Sequence, residues 1–366
     1  MKITQRLRQV LALRLVKDMG PRAFANGLLA FGSLEGFFQN SAKNWAKVEG
    51  LCRLDPAGLA TKACWEAVDG QIETAASQKT DIVTFYDKEY PVLLKEIHDP
   101  PMLLYVKGTL PANNNVYLAM VGSREATSHG LEMAVSIARD LAGAGAVIVS
   151  GLARGIDAAA HRGALEAGRT VAVLGSGISK IYPSENRKLA EVISEKGAVI
   201  SEFPMETGPL PQYFPMRNRI ISGLSRAVIV VEARQKSGAL ITVDFALEQG
   251  RDVYALPANA GSKKAEGSNE LLKQGARFVT SSEDILNDFH LKKHLARGNS
   301  RKKRVALDPE EKELIRLLRR DETMHLDELV EKSELSPQKA MTLLTSLAVK
   351  GAVKELPGKY FTESAL

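Results

Sequence analysis

The stretch "YLAMVGSREATSHG", residues 117–130, decides how this chain folds. Five apolar residues run into Gly122-Ser123-Arg124, and a helical pattern opens near Ser128 or His129. A buried strand that turns straight into a helix collects backbone N–H groups and a helix N-terminus, and together these attract an anion. The pattern then repeats. Between about residues 80 and 290 the runs "VYLAMVG", "AVIVSG", "TVAVLGSG", "AVISEF", "AVIVVEA", "DVYALPA" and "RFVT" alternate with helical segments such as "SHGLEMAVSIARDLAGAG" and "NRKLAEVISEKG". Short Val/Ile/Ala runs of this kind fit strands buried on both faces, which predicts an α/β fold with a mostly parallel sheet covered by helices on both sides. In such sheets ligands bind outside the carboxyl ends of the strands.

Two further regions flank this one. Residues 1–78 read as short helices ("ITQRLRQVLALRLV", "PRAFANGLLAFG", "SLEGFFQ", "PAGLATKACWEAV") separated by Gly- and Pro-containing turns, a bundle of helix-hairpin-helix or SAM-like type. After the central segment 79–290 comes a basic linker, 291–304. Residues 305–366 read as three helices and a hairpin around Pro357-Gly358, the layout of a winged helix. Asp308 before Pro309 and Ser336 before Pro337 are its helix caps.

The 366 residues carry a formal charge of +6, and seven basic residues between Lys292 and Arg304 more than account for it. The remainder is close to neutral, so a polyanion site elsewhere has to be a local patch. Two cysteines give neither a disulfide framework nor a zinc pattern, and the six histidines show no ligand spacing, so no metal or cofactor is expected. Arg14 and Lys17 interrupt the N-terminal apolar run, which reads as an amphipathic helix rather than a signal peptide. No stretch approaches the roughly 20 apolar residues of a membrane span, and a cytoplasmic protein is expected.

Which anion the strand ends hold is narrowed by what is missing. "VGSREATSHG" lacks the G-x-G-x-x-G spacing of a dinucleotide site, and no G-x-x-x-x-G-K-[ST] occurs. The strand ends offer arginine instead. Arg124 lies in the first loop, Gly151 and Arg154 in the second, Arg187 and Lys188 beyond the third, and Arg217 and Arg219 in "FPMRNR" before the fifth. Several loops supplying guanidinium groups suggest a groove that tracks a phosphate backbone. Phe214 offers a ring on which a base can stack, and Asn218 a base-edge reader or a helix cap. Each residue also has a plainer reading. The arginines fit salt bridges with Glu202 or Glu232, Phe214 fits a core, and Ser237-Gly238 fits the cap of a buried helix.

The ordered set "MVGSREATSHG", "SGLARGIDAAAHRGAL", "VLGSGISKIYPSENRKL", "ISEFP", "FPMRNRIISGLS", "VIVVEARQKSGALITVDFALEQGRDVYALP" and "NELLKQGA" resembles the DNA processing protein A family (DprA, also called Smf). That resemblance implies an extended Rossmann-like, doubly wound domain that binds single-stranded DNA and is not an enzyme. It implies a homodimer formed through the central domain, and delivery of incoming single strands to RecA during natural transformation against single-strand-binding protein. It places the strand-binding residues at Gly122, Ser123 and Arg124, at Arg217, Asn218 and Arg219, and at Phe214, with Gly151, Arg187, Lys188, Ser237 and Gly238 beside them. Two departures stand out. Pro211 occupies a position where relatives carry a lysine, with Lys188 as the expected substitute, and "LPA" replaces "VPG" at Ala258. The rival class is a nucleotide-binding or nucleotide-hydrolysing Rossmann-like enzyme, whose carboxylate would be Asp157 or Glu202. Since "LDELVEKSEL" is acidic and "SPQKAMTLLTSLAVKG" mostly apolar, the winged helix is expected to meet a protein rather than read duplex DNA.

Overall fold

The computed structural model describes residues 3–259, 261–291, 308–318, 323–333, 335–350, 352–356 and 358–363. The basic linker expected at 291–304 lies, apart from Leu291, outside them. The described residues up to 291 form one compact unit and those from 308 onward a second. No described helix is long and apolar enough to cross a membrane.

The first unit begins with five helices, α1 (Gln5–Leu15), α2 (Pro21–Phe31), α3 (Leu34–Gln39), α4 (Ala42–Trp45) and α5 (Lys62–Ser77). Caps set their starts: the side chains of Thr4, Ser33 and Thr61 accept from the backbone of α1, α3 and α5, and Pro21 opens α2. The helix expected from Pro56 starts only at Lys62, because the segment Pro56–Gly58 turns as a single 3₁₀ turn before Thr61 caps α5. These helices share a core with the sheet: Leu11, Phe37, Trp45 and Leu51 pack in the same cluster as Leu103, Tyr105, Leu174 and Val199.

The sheet has nine strands: β1 (Thr80–Thr84), β2 (Leu103–Gly108), β3 (Tyr117–Val121), β4 (Val147–Ser150), β5 (Arg169–Val173), β6 (Ala198–Ser201), β7 (Ala227–Val230), β8 (Asp252–Ala255) and β9 (Arg277–Phe278). Their order is β1-β2-β6-β5-β4-β3-β7-β8-β9. All seven expected strands are present and run parallel; β1 and β2, which were not anticipated, add antiparallel at the β6 edge. Helix α6 (Val92–Lys95) sits between them. The other helices are α7 (Ser128–Gly143), α8 (Ile156–Ala167), α9 (Arg187–Lys196), α10 (Tyr213–Leu224), α11 (Gly238–Glu248), α12 (Glu266–Lys273) and α13 (Ser282–Asp288). Strands β3 to β7 are buried over nearly their whole length, as strands covered on both faces must be. From β3 the chain proceeds through β4, β5 and β6 in one direction and through β7, β8 and β9 in the other. The end of β3 is therefore the topological switch point, where an open α/β sheet leaves a crevice.

The second unit contains α14 (Pro309–Leu317), β10 (Met324–His325), α15 (Leu326–Ser333), α16 (Pro337–Val349), β11 (Val353–Leu356) and β12 (Tyr360–Glu363), with a three-stranded sheet β10-β12-β11 around Leu314, Leu344, Leu347 and Phe361. This is a winged helix. Lys339 in α16 and Lys350 at its C-cap are neutralised internally: Lys339 meets Glu310 at 2.5 Å, and Lys350 meets the buried Glu311 at 2.6 Å.

Candidate nucleic-acid interface

A cleft of about 600 Å³ opens at the switch point, lined by the end of β3, by the loop that follows β7 and by residues of α10 and α11. The anion expected at the start of α7 is already present within the chain. The Glu232 carboxylate, 5% exposed, accepts from the Thr127 N–H at 3.2 Å and from the Thr127 hydroxyl at 2.7 Å. Thr127 in turn caps α7 by accepting from the Gly130 N–H at 3.0 Å. The Ser123 N–H, expected to hold a phosphate, donates instead to the Glu232 carbonyl at 2.6 Å. Two of the backbone donors in this turn are thus committed, and charge recognition passes to side chains.

Arg217 forms the floor. It is 4% exposed; Nη1 donates to the carbonyls of Gly151 (2.7 Å) and Val173, and Nε donates to Asn218 Oδ1 at 3.2 Å. Nη2 makes no hydrogen bond among the described residues. Burial lowers its pKa to about 10, offset by the carboxylate of Asp157 and reinforced by the charge of Arg124, so it remains a cation at neutral pH. A Cβ at 151 would lie 2.6 Å from Arg217 Nη2, so a larger residue there requires the guanidinium to shift. Asp157 is tied to the same loop, accepting from the Gly151 and Ala153 N–H groups at 3.1 and 3.3 Å. Its pKa is raised by burial, against the pull of Arg217 and these two N–H groups.

The rim carries the recognition chemistry. The Arg124 guanidinium stands 5.7 Å from the Phe214 ring centroid, and the Tyr182 ring, 48% exposed, lies 5.7 Å from the same ring. Arg234 pairs with Glu125 at 2.7 Å, whereas Arg124 and Lys236 line the cleft with no ion pair among the described residues. Asn218 donates to the Gly238 carbonyl at 3.2 Å and Ser237 caps α11, so this part of the wall is held by α10 and α11 jointly. Of the residues read from the sequence, Gly122, Ser123, Arg124, Phe214, Arg217, Asn218, Ser237 and Gly238 line the cleft, with Gly151 directly beneath Arg217.

Four expected residues lie elsewhere. Arg219 is 3% exposed and forms a triad, bonding both oxygens of the buried Glu202 at 3.0 and 2.7 Å and the partly exposed Asp99 at 3.0 Å. Residues two apart on a helix point roughly 200° apart, so with Arg217 in the cleft Arg219 cannot also face it. Arg187 lines a separate recess with Lys107, and Lys188 is exposed on α9 outside the cleft. Arg154 is held at the surface by Glu185 at 2.7 Å. Sequence reading missed Lys236, Arg234 and Tyr182. The first two follow directly on a strand run in "VIVVEARQK", a position that sequence alone could have marked. Lys236 and not Lys188 supplies a cation in a cleft where Pro211 also lies. Both carboxylates considered for catalysis have structural partners: Glu202 serves Arg219, and Asp157 serves the loop under Arg217.

A family model described as DNA recombination-mediator protein A matches residues 81–290, and one described as DprA winged helix domain matches residues 300–359. The chain is 38% identical over 260 residues to the DNA processing protein DprA of Bacillus subtilis, covering 65% of this chain and 88% of the relative. It is 40% identical over 277 residues to Protein Smf of Escherichia coli, covering 74% of each. Among solved structures, DprA of Streptococcus pneumoniae superposes with a TM-score of 0.67 at 36% identity, over 79% of this chain and 99% of that one. A DprA from Helicobacter pylori, described for its single-stranded DNA binding mode, gives 0.52 at 29% identity, over 58% and 96%.

Proposed function

The chain belongs to the DNA recombination-mediator protein A family, and from that premise we propose that its cleft binds single-stranded DNA without regard to sequence. The observation that carries this reading is the convergence of cationic groups unpaired among the described residues (Arg124, Lys236 and Arg217 Nη2) with two aromatic rings, Phe214 and Tyr182, in one cleft. Guanidinium and ammonium groups take successive phosphates while a base lies on the rings, the combination used by surfaces that bind unpaired strands. A duplex keeps its bases stacked inside and cannot use the rings. The relative described as binding single-stranded DNA supports the same assignment.

The mediator role extends this. The bound strand is handed to RecA in competition with single-strand-binding protein, in the cytoplasm, during uptake of DNA by transformation, and the protein turns over no substrate. Dimerisation through the central domain would double the footprint and give avidity on long strands. Its support is that β9 is an edge strand among the described residues, where Phe278 is 59% exposed and strand groups can meet a second copy.

Titration of labelled oligo-dT and of its duplex at several salt concentrations tests the reading. Preference for the unpaired form is expected, with affinity falling steeply with salt. Arg124→Ala and Lys236→Ala should each weaken binding and make the salt slope shallower by about 0.7. Unchanged affinity and slope in both folded variants would remove the cleft as the binding site.

A further inference from the structure

Across α10 from the cleft lies a second recess of about 280 Å³, on the side of the helical bundle. Arg14 in the last turn of α1, the turn 18–21 between α1 and α2, Met102, Phe203 and Met216 line it. Phe214 lines the cleft and Met216 the recess, as residues two apart on one helix point roughly 200° apart. The segment 209–216 joins the two sites and is apolar and open to solvent. Leu210 is 43% and Met216 44% exposed, and Pro209 and Pro211 are exposed beside them. Cations stand on both sides of this segment. Arg124 and Lys236 line the cleft, Arg14 lines the recess with exposed Lys17 three residues on, and none of the four has an ion pair among the described residues. Of the two carboxylates in the recess wall, Glu202 is neutralised by Arg219 at 2.7 Å and Asp18 is exposed. Exposed apolar side chains set between two groups of cations match an unpaired strand, which presents base faces and phosphates together.

We propose that the bound strand continues over the start of α10 into this recess, so that the helical bundle and the cleft form one binding track. The proposal rests on the reading of the cleft as a single-strand site and extends its footprint to the N-terminal helices. A helix with its side chains is about 10–12 Å across. Phosphates spaced about 3.4 Å or more apart along a strand cover that width in about three nucleotides. One base lies on the Phe214 ring, the next crosses Leu210 and Met216, and the one after enters the recess against Met102 and Phe203. Arg14 and Lys17 take the phosphates at that end. The crossing is made by apolar contact and charge, with no base-edge reader, so it adds affinity without sequence preference. A strand too short to cross α10 gains nothing from it.

Fluorescence anisotropy of the full-length protein with oligo-dT of about 4 and about 12 nucleotides tests this, comparing wild type with Arg14→Ala, Met216→Glu and Arg124→Ala. The shorter strand fills the cleft alone, and the longer one reaches the recess. Arg14→Ala should weaken binding of the longer strand by about fivefold and make its salt slope shallower by about 0.7. Met216→Glu sets a like charge beside the backbone at a surface position and should weaken it by about tenfold. Both variants should bind the shorter strand within about twofold of wild type, whereas Arg124→Ala weakens both lengths. Unchanged affinity of folded Arg14→Ala and Met216→Glu for the longer strand would overturn the proposal and leave the exposed segment to a protein partner. Equal losses on both lengths would also overturn it, since the variants would then act through the cleft. If Arg124→Ala changed neither length, the cleft reading would fall instead, and the losses of the other two variants on the longer strand would still decide the recess.

Discussion

Gly151→Ala is the sharpest probe of how the cleft is held together. The added methyl would lie 2.6, 2.7 and 2.8 Å from Nη2, Cζ and Nη1 of Arg217, against a practical lower limit of about 3.0 Å. The loop cannot easily retreat, since the Gly151 N–H is bound to Asp157 and its carbonyl to Arg217 itself. The guanidinium must lift away from the carbonyls of Gly151 and Val173. A hydrogen bond to a charged group contributes about 1.5–3 kcal/mol, and overpacking a tight site costs about 1–3 kcal/mol. Partial relief by small shifts brings the expected loss to about 2–4 kcal/mol. Urea unfolding of Gly151→Ala, Arg217→Met and the double variant separates this from a generic loop defect. Arg217→Met is destabilising by itself, because it strands two buried carbonyls and leaves Asp157 without its cation. In that background, however, the flexible methionine yields, and the methyl at 151 should cost less than about 1 kcal/mol. A coupling energy above about 1.5 kcal/mol is expected, together with a roughly tenfold loss of oligo-dT affinity in each folded single variant. Equal costs of Gly151→Ala in both backgrounds would refute the argument that glycine is there to admit the guanidinium.

Three other outcomes follow from the same geometry. Phe214→Ala and Tyr182→Ala should each weaken oligo-dT binding by about 1–3 kcal/mol, roughly 5- to 150-fold, and the losses should be less than additive because the rings are neighbours; fluorescence anisotropy reads both. Arg219→Met or Glu202→Gln breaks a buried ion pair and should cost about 3–5 kcal/mol in urea unfolding, while the folded fraction keeps its strand affinity within about twofold; a large specific loss would return Arg219 to the binding surface. His161 is fully buried, and its Nδ1–H donates to the Thr170 hydroxyl, which itself donates to the Ile148 carbonyl. Burial first, then the charges of Arg217 and Arg162, push its pKa down to about 3. Below the ordinary value near 6.5 the unfolded chain takes up a proton that the folded one refuses. The stability from a neutral His161 is therefore complete above that pH and lost as pH falls toward 3, at about 1.4 kcal/mol per pH unit. His161→Phe should flatten the stability profile between pH 6 and 4, and an unchanged slope there would contradict the neutral buried imidazole.

The alternation of apolar runs with helical patterns was enough to expect the parallel sheet, because a strand buried on both faces writes its burial directly into "AVIVS" or "AVIVV". Caps such as Thr61 and Asp308 are likewise local, a side chain reaching an N–H two or three residues on. The two antiparallel edge strands were less legible. β1 shows alternating burial, and its place depends on pairing with β2, some 20 residues away. One error was avoidable on local grounds, since a helical reading of "FPMRNRIISGL" already sets Arg217 and Arg219 on opposing faces.

What no local pattern could contain is the partner of each charge. Glu232 lies 105 residues from Thr127, and Arg219 lies 120 residues from Asp99. They meet because β7 packs beside β3 and α10 crosses the sheet, which fixes one side chain in an anion seat and another in a triad with Glu202 and Asp99. Residue type and period settled the strands, helices and caps. Strand order decided which cations stayed unpaired to face the cleft, since an ion pair depends on distance in space and the sequence records only distance along the chain.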